Sequence, residues 1–308
     1  MSAAPPDALP IALPLALAED EWLPRARAHR ARLDTWVGPH QERRRRGVPH
    51  PVLDFLFTYY SEPPNRLLRW HPGVGVALTG RAARERLDWP LHAEVEAVDA
   101  DGRRVSAVGL DVPAFRARRA TAAGWTAGLL RATASRPGQF GCFGLHEWAM
   151  VYRSGQPRHG GVPLRLGPAG TDAVVEASRL QCSHVDAFRF FTPDAVERTT
   201  LRPTRDTQQQ LEQPGCLHAT MDLYKWAYKL SPAVPGELLA DCFALAADVR
   251  ELDMRASPYD LADHGYPPVP IEAPEGRAAY AAAQRTFAAR GAALRERLLA
   301  VCDAVLTP

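Results

Sequence analysis

Residues 215–230 read GCLHATMDLYKWAYKL, and the spacing of their side chains decides how the rest of the chain is read. In a helix His218, Asp222, Lys225 and Lys229 recur at offsets of 4, 3 and 4, which puts all four on one face. Leu217, Met221, Tyr224 and Tyr228 repeat with the same offsets one residue earlier, an apolar stripe beside the polar one. The pattern predicts a single helix that buries one side and lines a cavity with the other. Of 37 basic residues only Lys225 and Lys229 are lysines. Burial can turn a lysine into a neutral amine, which arginine does not allow. Two roles follow for the pair: contact with phosphate or attack on a sugar carbon, or plain cations at the C-terminal half of a helix.

The chain has 308 residues, 46% of them hydrophobic and 23% charged, the balance of a water-exposed globular protein with a sizeable core. Its net charge of +2 is too small to announce a polyanion partner, although a local basic patch matters more than the total. Five cysteines with no CxxC pair read as reduced thiols in a cytoplasmic protein. The early run ALPIALPLALA lacks a preceding positive residue and is broken by prolines, so neither secretion nor membrane insertion is expected.

Working outward, residues 1–17 are rich in Ala and Pro and read as a flexible N-terminal extension, with 18–308 as a single mainly helical domain. A helical pattern runs from Glu19 to about Arg46 and ends in four arginines. Short strands are expected at 74–78, 92–98 and 103–110, the last two joined by Asp101-Gly102, which makes a β-containing insert at 72–112 conceivable. Pro113 opens a helix to about Ala134, residues 173–182 read as another strand, and 192–213 as a long polar connection. Helices at 235–256 and 278–306 complete an α+β, mainly helical fold: a helical core with a small antiparallel β element.

Four motifs, HPVLD, LHEWAM, SHVDAF and LHATMD, each set an imidazole within four residues of a carboxylate and beside aromatic residues. They supply His50 and Asp54, His146 and Glu147, His184 and Asp186, and His218 and Asp222. His50, Asp54, Glu147, His184, Asp186, His218 and Asp222 form a candidate ligand set for iron or another divalent metal, serving an oxygenase or hydrolase. The spacing matches neither Glu-x-x-His nor HExxH. Without a metal, a pocket of Tyr59, Tyr60, Trp148, Phe188 and Tyr224 could stack on a planar base. Asp222 or Glu147 would then act as acid–base group, with His218 and His184 polarising and Lys225 or Lys229 on sugar or phosphate. In a third reading the protein binds without catalysis, and the pairs are buried hydrogen-bonded staples.

The strings HPVLDFLFTYYS, RWHPG, GCFGLHEWAMVYR, CSHVDAFRFF, GCLHATMDLYKWAYKL and LDMRASPYDL resemble those of an actinobacterial family labelled 3-methyladenine DNA glycosylase, over roughly residues 20–305. The resemblance implies hydrolysis of the N-glycosidic bond of an alkylated base, a DNA repair activity without a cofactor, with DNA or a nucleobase-containing small molecule as partner. The sequence shows no evident helix-hairpin-helix with a downstream catalytic aspartate, and no paired Gln-x-Gln or Gln-x-Asp. The candidate residues therefore rest on their own chemistry.

Overall fold

The computed structural model describes residues 13–155 and 161–307. Helix makes up 56% of it, with a small strand element, which is the mainly helical α+β fold expected. None of the described helices is long and apolar enough to cross a membrane.

Four long helices form the scaffold: Glu19–Arg46, Val112–Ala134, Gly236–Arg255 and Pro274–Leu306. The first carries Glu19, Asp20 and Glu21 in its opening turn and four arginines in its last, matching both ends of the helix dipole. Asp111 caps the second by accepting from the Ala114 amide at 2.9 Å, with Pro113 in the first turn. The Gly236–Arg255 helix is the axis, because Leu238, Cys242, Leu245 and Val249 are all buried on it. Against it pack the first and last long helices and the 217–229 segment. Each fully buried side chain of this core, such as Phe243, contributes about 1.5–3 kcal/mol.

The small sheet comprises β1 (Leu15–Leu17), β2 (Val76–Leu78), β3 (His92–Val98) and β4 (Arg104–Leu110). β3 and β4 form the expected hairpin, whose turn needs Gly102 at φ 79°. The order β1-β2-β4-β3 closes into a barrel through the Leu15–Val98 pairing. Two expectations change here. β1 runs parallel to β2, so the element is not wholly antiparallel, and its residues 15–17 were assigned to the flexible extension. Only small side chains fit inside so narrow a barrel. Ala16, Ala77, Ala97 and Ala107 fill it, and an Ala-rich sequence therefore forms a strand. Residues 1–12 of the expected extension lie outside the described residues.

The expected strand at 173–182 is also corrected. Residues 173–176 end the Gly167–Glu176 helix, opened by Pro168 and buried on Thr171, Val174 and Val175. The Val-Val pair favours a strand only weakly, and burial of a helical stripe outweighs it. Between 192 and 213 the chain forms two short helices, Pro193–Glu197 and Gln208–Leu211.

Candidate metal centre and its charged neighbours

Residues 215–230 do not form one helix. Leu217–Met221 and Leu223–Lys229 meet at Asp222, where the backbone leaves helical assignment for one residue. The hydrogen bonds carry across the break, from the Asp222 amide to His218 O at 2.8 Å and from the Trp226 amide to Asp222 O at 3.0 Å. His218, Asp222 and Lys225 are buried, and Lys229 is exposed. Gly215 fixes where the segment starts, because a Cβ there would sit 2.5 Å from the Gln139 carbonyl oxygen.

Asp222 is saturated. Its Oδ1 accepts from the Tyr60 hydroxyl at 2.8 Å, and its Oδ2 from His184 Nε2 at 3.2 Å and from the Lys225 ammonium. Because His184 Nδ1 accepts the Ala187 amide at 3.3 Å, the ring carries its proton on Nε2, the atom facing Asp222. Lys225 also bonds Asp186 Oδ2 at 3.2 Å, and Arg205 holds the same carboxylate. Burial alone would raise the Asp222 carboxyl, yet Lys225 and His184 hold it far below the usual carboxylate range. Burial likewise pulls Lys225 down, and Asp222 and Asp186 more than reverse it, so its pKa is raised. The neutral amine anticipated for a buried lysine is therefore not formed at Lys225. Lys229 does shift downward, through burial and the nearby Lys225 charge.

A second cluster lies behind this one. The His218 ring stacks on His184 at 5.2 Å and meets the edge of His146 at 4.4 Å. His146 Nε2 in turn lies 2.9 Å from Asp253 Oδ1. The row Asp222, His184, His218, His146, Asp253 thus runs through the core. Its two ends differ. Neither oxygen of Asp253, nor Nε2 of His146, has a hydrogen-bond partner in acceptable alignment, although all are buried. Burial and the neighbouring His146 push the His218 imidazole well below its ordinary pKa, leaving a neutral ring with a lone pair. Beside His146 and His218 is a cavity of about 20 Å³, also lined by Cys142, Cys182 and Cys216. About 10–15 Å³ holds one water.

Two trios have ligand atoms within 4.8 Å of one another: His146, His218 and Asp253, and His184, Asp186 and Asp222. In the second, Lys225 already bridges both carboxylates, so an ammonium supplies the cation there. In the first, Asp253 faces the His146 imidazole at 2.9 Å and the Arg250 guanidinium at 3.5 Å, and among the described residues no ammonium bridges the trio. Two imidazoles and a carboxylate are the donor set of mononuclear iron and zinc sites. Burial alone would lower the His146 imidazole, yet Asp253 raises it well above its ordinary pKa, so an ion bound here would displace the His146 proton.

The other expected residues are placed as follows. Glu147 pairs with Arg250 at 2.9 Å, and Arg250 reaches Asp253 Oδ2 at 3.5 Å. Trp148 is a core side chain whose indole donates to Ala256 O at 2.9 Å. Tyr60 and Tyr224 meet edge to face at 5.2 Å, Tyr59 packs on Tyr60, and Phe188 lies against Phe191. These aromatics are mostly wall rather than open platform. His50 and Asp54 form a separate cluster, in which Asp54 accepts from His40 at 2.9 Å, from Arg43 and from the His50 amide at 2.8 Å. His50 Nδ1 accepts the Val52 and Leu53 amides and so caps its own turn.

Asp253 was missed in the sequence although a signal exists. The buried stripe Leu238, Cys242, Leu245, Val249 continues by one more step of four onto Asp253, a carboxylate on the core face of a helix. Arg205, Glu212 and Gln208 have no such local signal. They sit in the polar connection, where Gln208 donates to Glu212 at 2.6 Å and Glu212 lies 3.6 Å from His184. No protein-family model, curated protein or solved structure matches the chain.

Proposed function

We propose that this protein is a metal-dependent enzyme whose single divalent ion is held by His146, His218 and Asp253. The observation that carries this reading is the convergence of buried ligand atoms of His146, His218 and Asp253 within 4.8 Å of one another, with those of His146 and Asp253 outside hydrogen-bond alignment. An ion held by His146, His218 and Asp253 would supply Lewis acidity, lowering the pKa of a bound water, beside a cavity of about 20 Å³. Around it the chain contributes fixed charge. Arg250 balances Glu147 and Asp253, and His184 holds the far face of His218. Five free thiols fit a reducing compartment.

Metal analysis of protein purified without chelator tests the reading. One equivalent of iron, zinc or a similar ion, lost in Asp253→Asn, supports it. A protein that stays empty on reconstitution with each of these ions ends it.

A second reading, excision of an alkylated base, draws on one feature. Arg189, Arg205 and Lys229 expose cationic side chains around the Lys225–Asp186–Asp222 cluster, where a phosphate backbone could rest. In that reading Asp222 serves as a permanent anion beneath the developing sugar cation rather than as a proton carrier. Release of 3-methyladenine from alkylated duplex DNA, abolished by Asp222→Asn, is the outcome it requires.

A further inference from the structure

A separate cavity of about 180 Å³ lies where the chain leaves the Leu223–Lys229 helix, with Tyr228, Ser231 and Leu239 among its lining residues. Its charged lining is lopsided: Arg66, Arg69 and Arg119 against the single acid Glu62. Elsewhere arginines find carboxylates, as in Arg25–Glu237, Arg32–Asp241 and Arg165–Glu272. Among the described residues Arg66 and Arg69 form no ion pair. Arg119 donates only to carbonyl oxygens, those of Lys229 at 2.5 Å and Ser231 at 3.4 Å. A fourth guanidinium, Arg86, is buried 4.7 Å from the Trp89 ring centre and donates to Trp70 O at 2.6 Å. Arg69 covers the same indole at 5.2 Å.

Cations without carboxylate partners around a concave, partly apolar wall focus a positive potential into the cleft, which draws an anion. Guanidinium forks match the oxygens of a phosphoryl group and bind it bidentately. His71 adds a polar edge, since its buried Nδ1 has no partner. Burial, with His92 and Arg86 close by, keeps that ring neutral and available for one hydrogen bond. The volume exceeds the ~150 Å³ that accommodates a benzene-sized guest, so a phosphate with a small substituent fits.

We propose that this cleft binds the phosphoryl group of a small phosphate monoester through Arg66, Arg69 and Arg119, with the Trp89 ring and Leu239 packing the ester's apolar part. The site is independent of the metal reading. Calorimetric titration of the full chain with inorganic phosphate, in the presence of chelator, is expected to show saturable one-site binding. Arg66→Ala with Arg69→Ala should weaken it roughly tenfold or more. Both side chains are exposed, so the melting temperature without phosphate should stay unchanged, which separates lost binding from misfolding. Arg69→Lys keeps the charge and loses the fork, and should bind with intermediate affinity. Heats no larger than those of chloride at equal ionic strength, or a double variant that titrates like the parent, overturn the proposal.

Discussion

His146 Nε2 and Asp253 Oδ1 lie 2.9 Å apart in the core, yet the two atoms are not aligned as donor and acceptor. Close approach without alignment distinguishes them from the His184–Asp222 pair one ring further along, whose 3.2 Å contact is a proper hydrogen bond. Two pairs of the same residue types thus differ in geometry.

At the His146 end, Asp253→Asn is expected to preserve shape and to weaken divalent-metal affinity by more than about a hundredfold, beyond what loss of an outer partner produces. Saturating metal should stabilise the parent protein by about 2.7 kcal/mol at a hundred times its dissociation constant, and the variant hardly at all. Thermal melts with and without chelator measure both.

Asp222→Asn removes the negative charge that Lys225, His184 and Tyr60 share. Breaking a buried ion pair from one side costs about 3–5 kcal/mol. Tyr60→Phe, which deletes one hydrogen bond and leaves the charges, should cost nearer 1–2 kcal/mol. Urea unfolding of the two variants orders them, and equal costs would show that the charge at Asp222 is not what holds the cluster.

Acid should expose the same carboxylate. Asp222 has an ordinary pKa of 3.8 and a much lower one when folded, so its contribution is fully present above about pH 4. It is lost as pH falls toward the folded-state value. Above about pH 5 the parent and Asp222→Asn should show the same slope of measured unfolding free energy with pH; below about pH 4 the parent should fall more steeply, by up to about 1.4 kcal/mol per pH unit.

Glu62 gives the anion cleft a pH dependence. Burial raises its carboxyl to about 7, against the opposing pull of Arg66, Arg119 and Arg69. His71, Tyr224 and Tyr228 are the other titratable groups nearby; burial holds Tyr224 well above the physiological range and His71 well below it. Sulfate keeps a constant charge over this range, so its binding should weaken as pH rises from about 6 to 8 and Glu62 ionises. Glu62→Gln should flatten that profile, and an unchanged slope would remove Glu62 from the site.

The long helices and the hairpin at 92–110 were legible because local periodicity and turn chemistry specify them, and so was the helical character of 217–229, though not its break at Asp222. So was the meeting of His184, Asp186, His218, Asp222 and Lys225, since His218, Asp222 and Lys225 share one face and SHVD supplies the rest. The sequence could not show that Lys225 would stand between Asp186 and Asp222 as their cation, because a pKa depends on neighbours far away in the chain. Nor could it show that His50 and Asp54, with the same spacing as His218 and Asp222, would cap a turn beside His40 and Arg43. Spacing places side chains on a face. Only packing decides which faces meet, and the buried contact between His146 and Asp253 comes from that meeting.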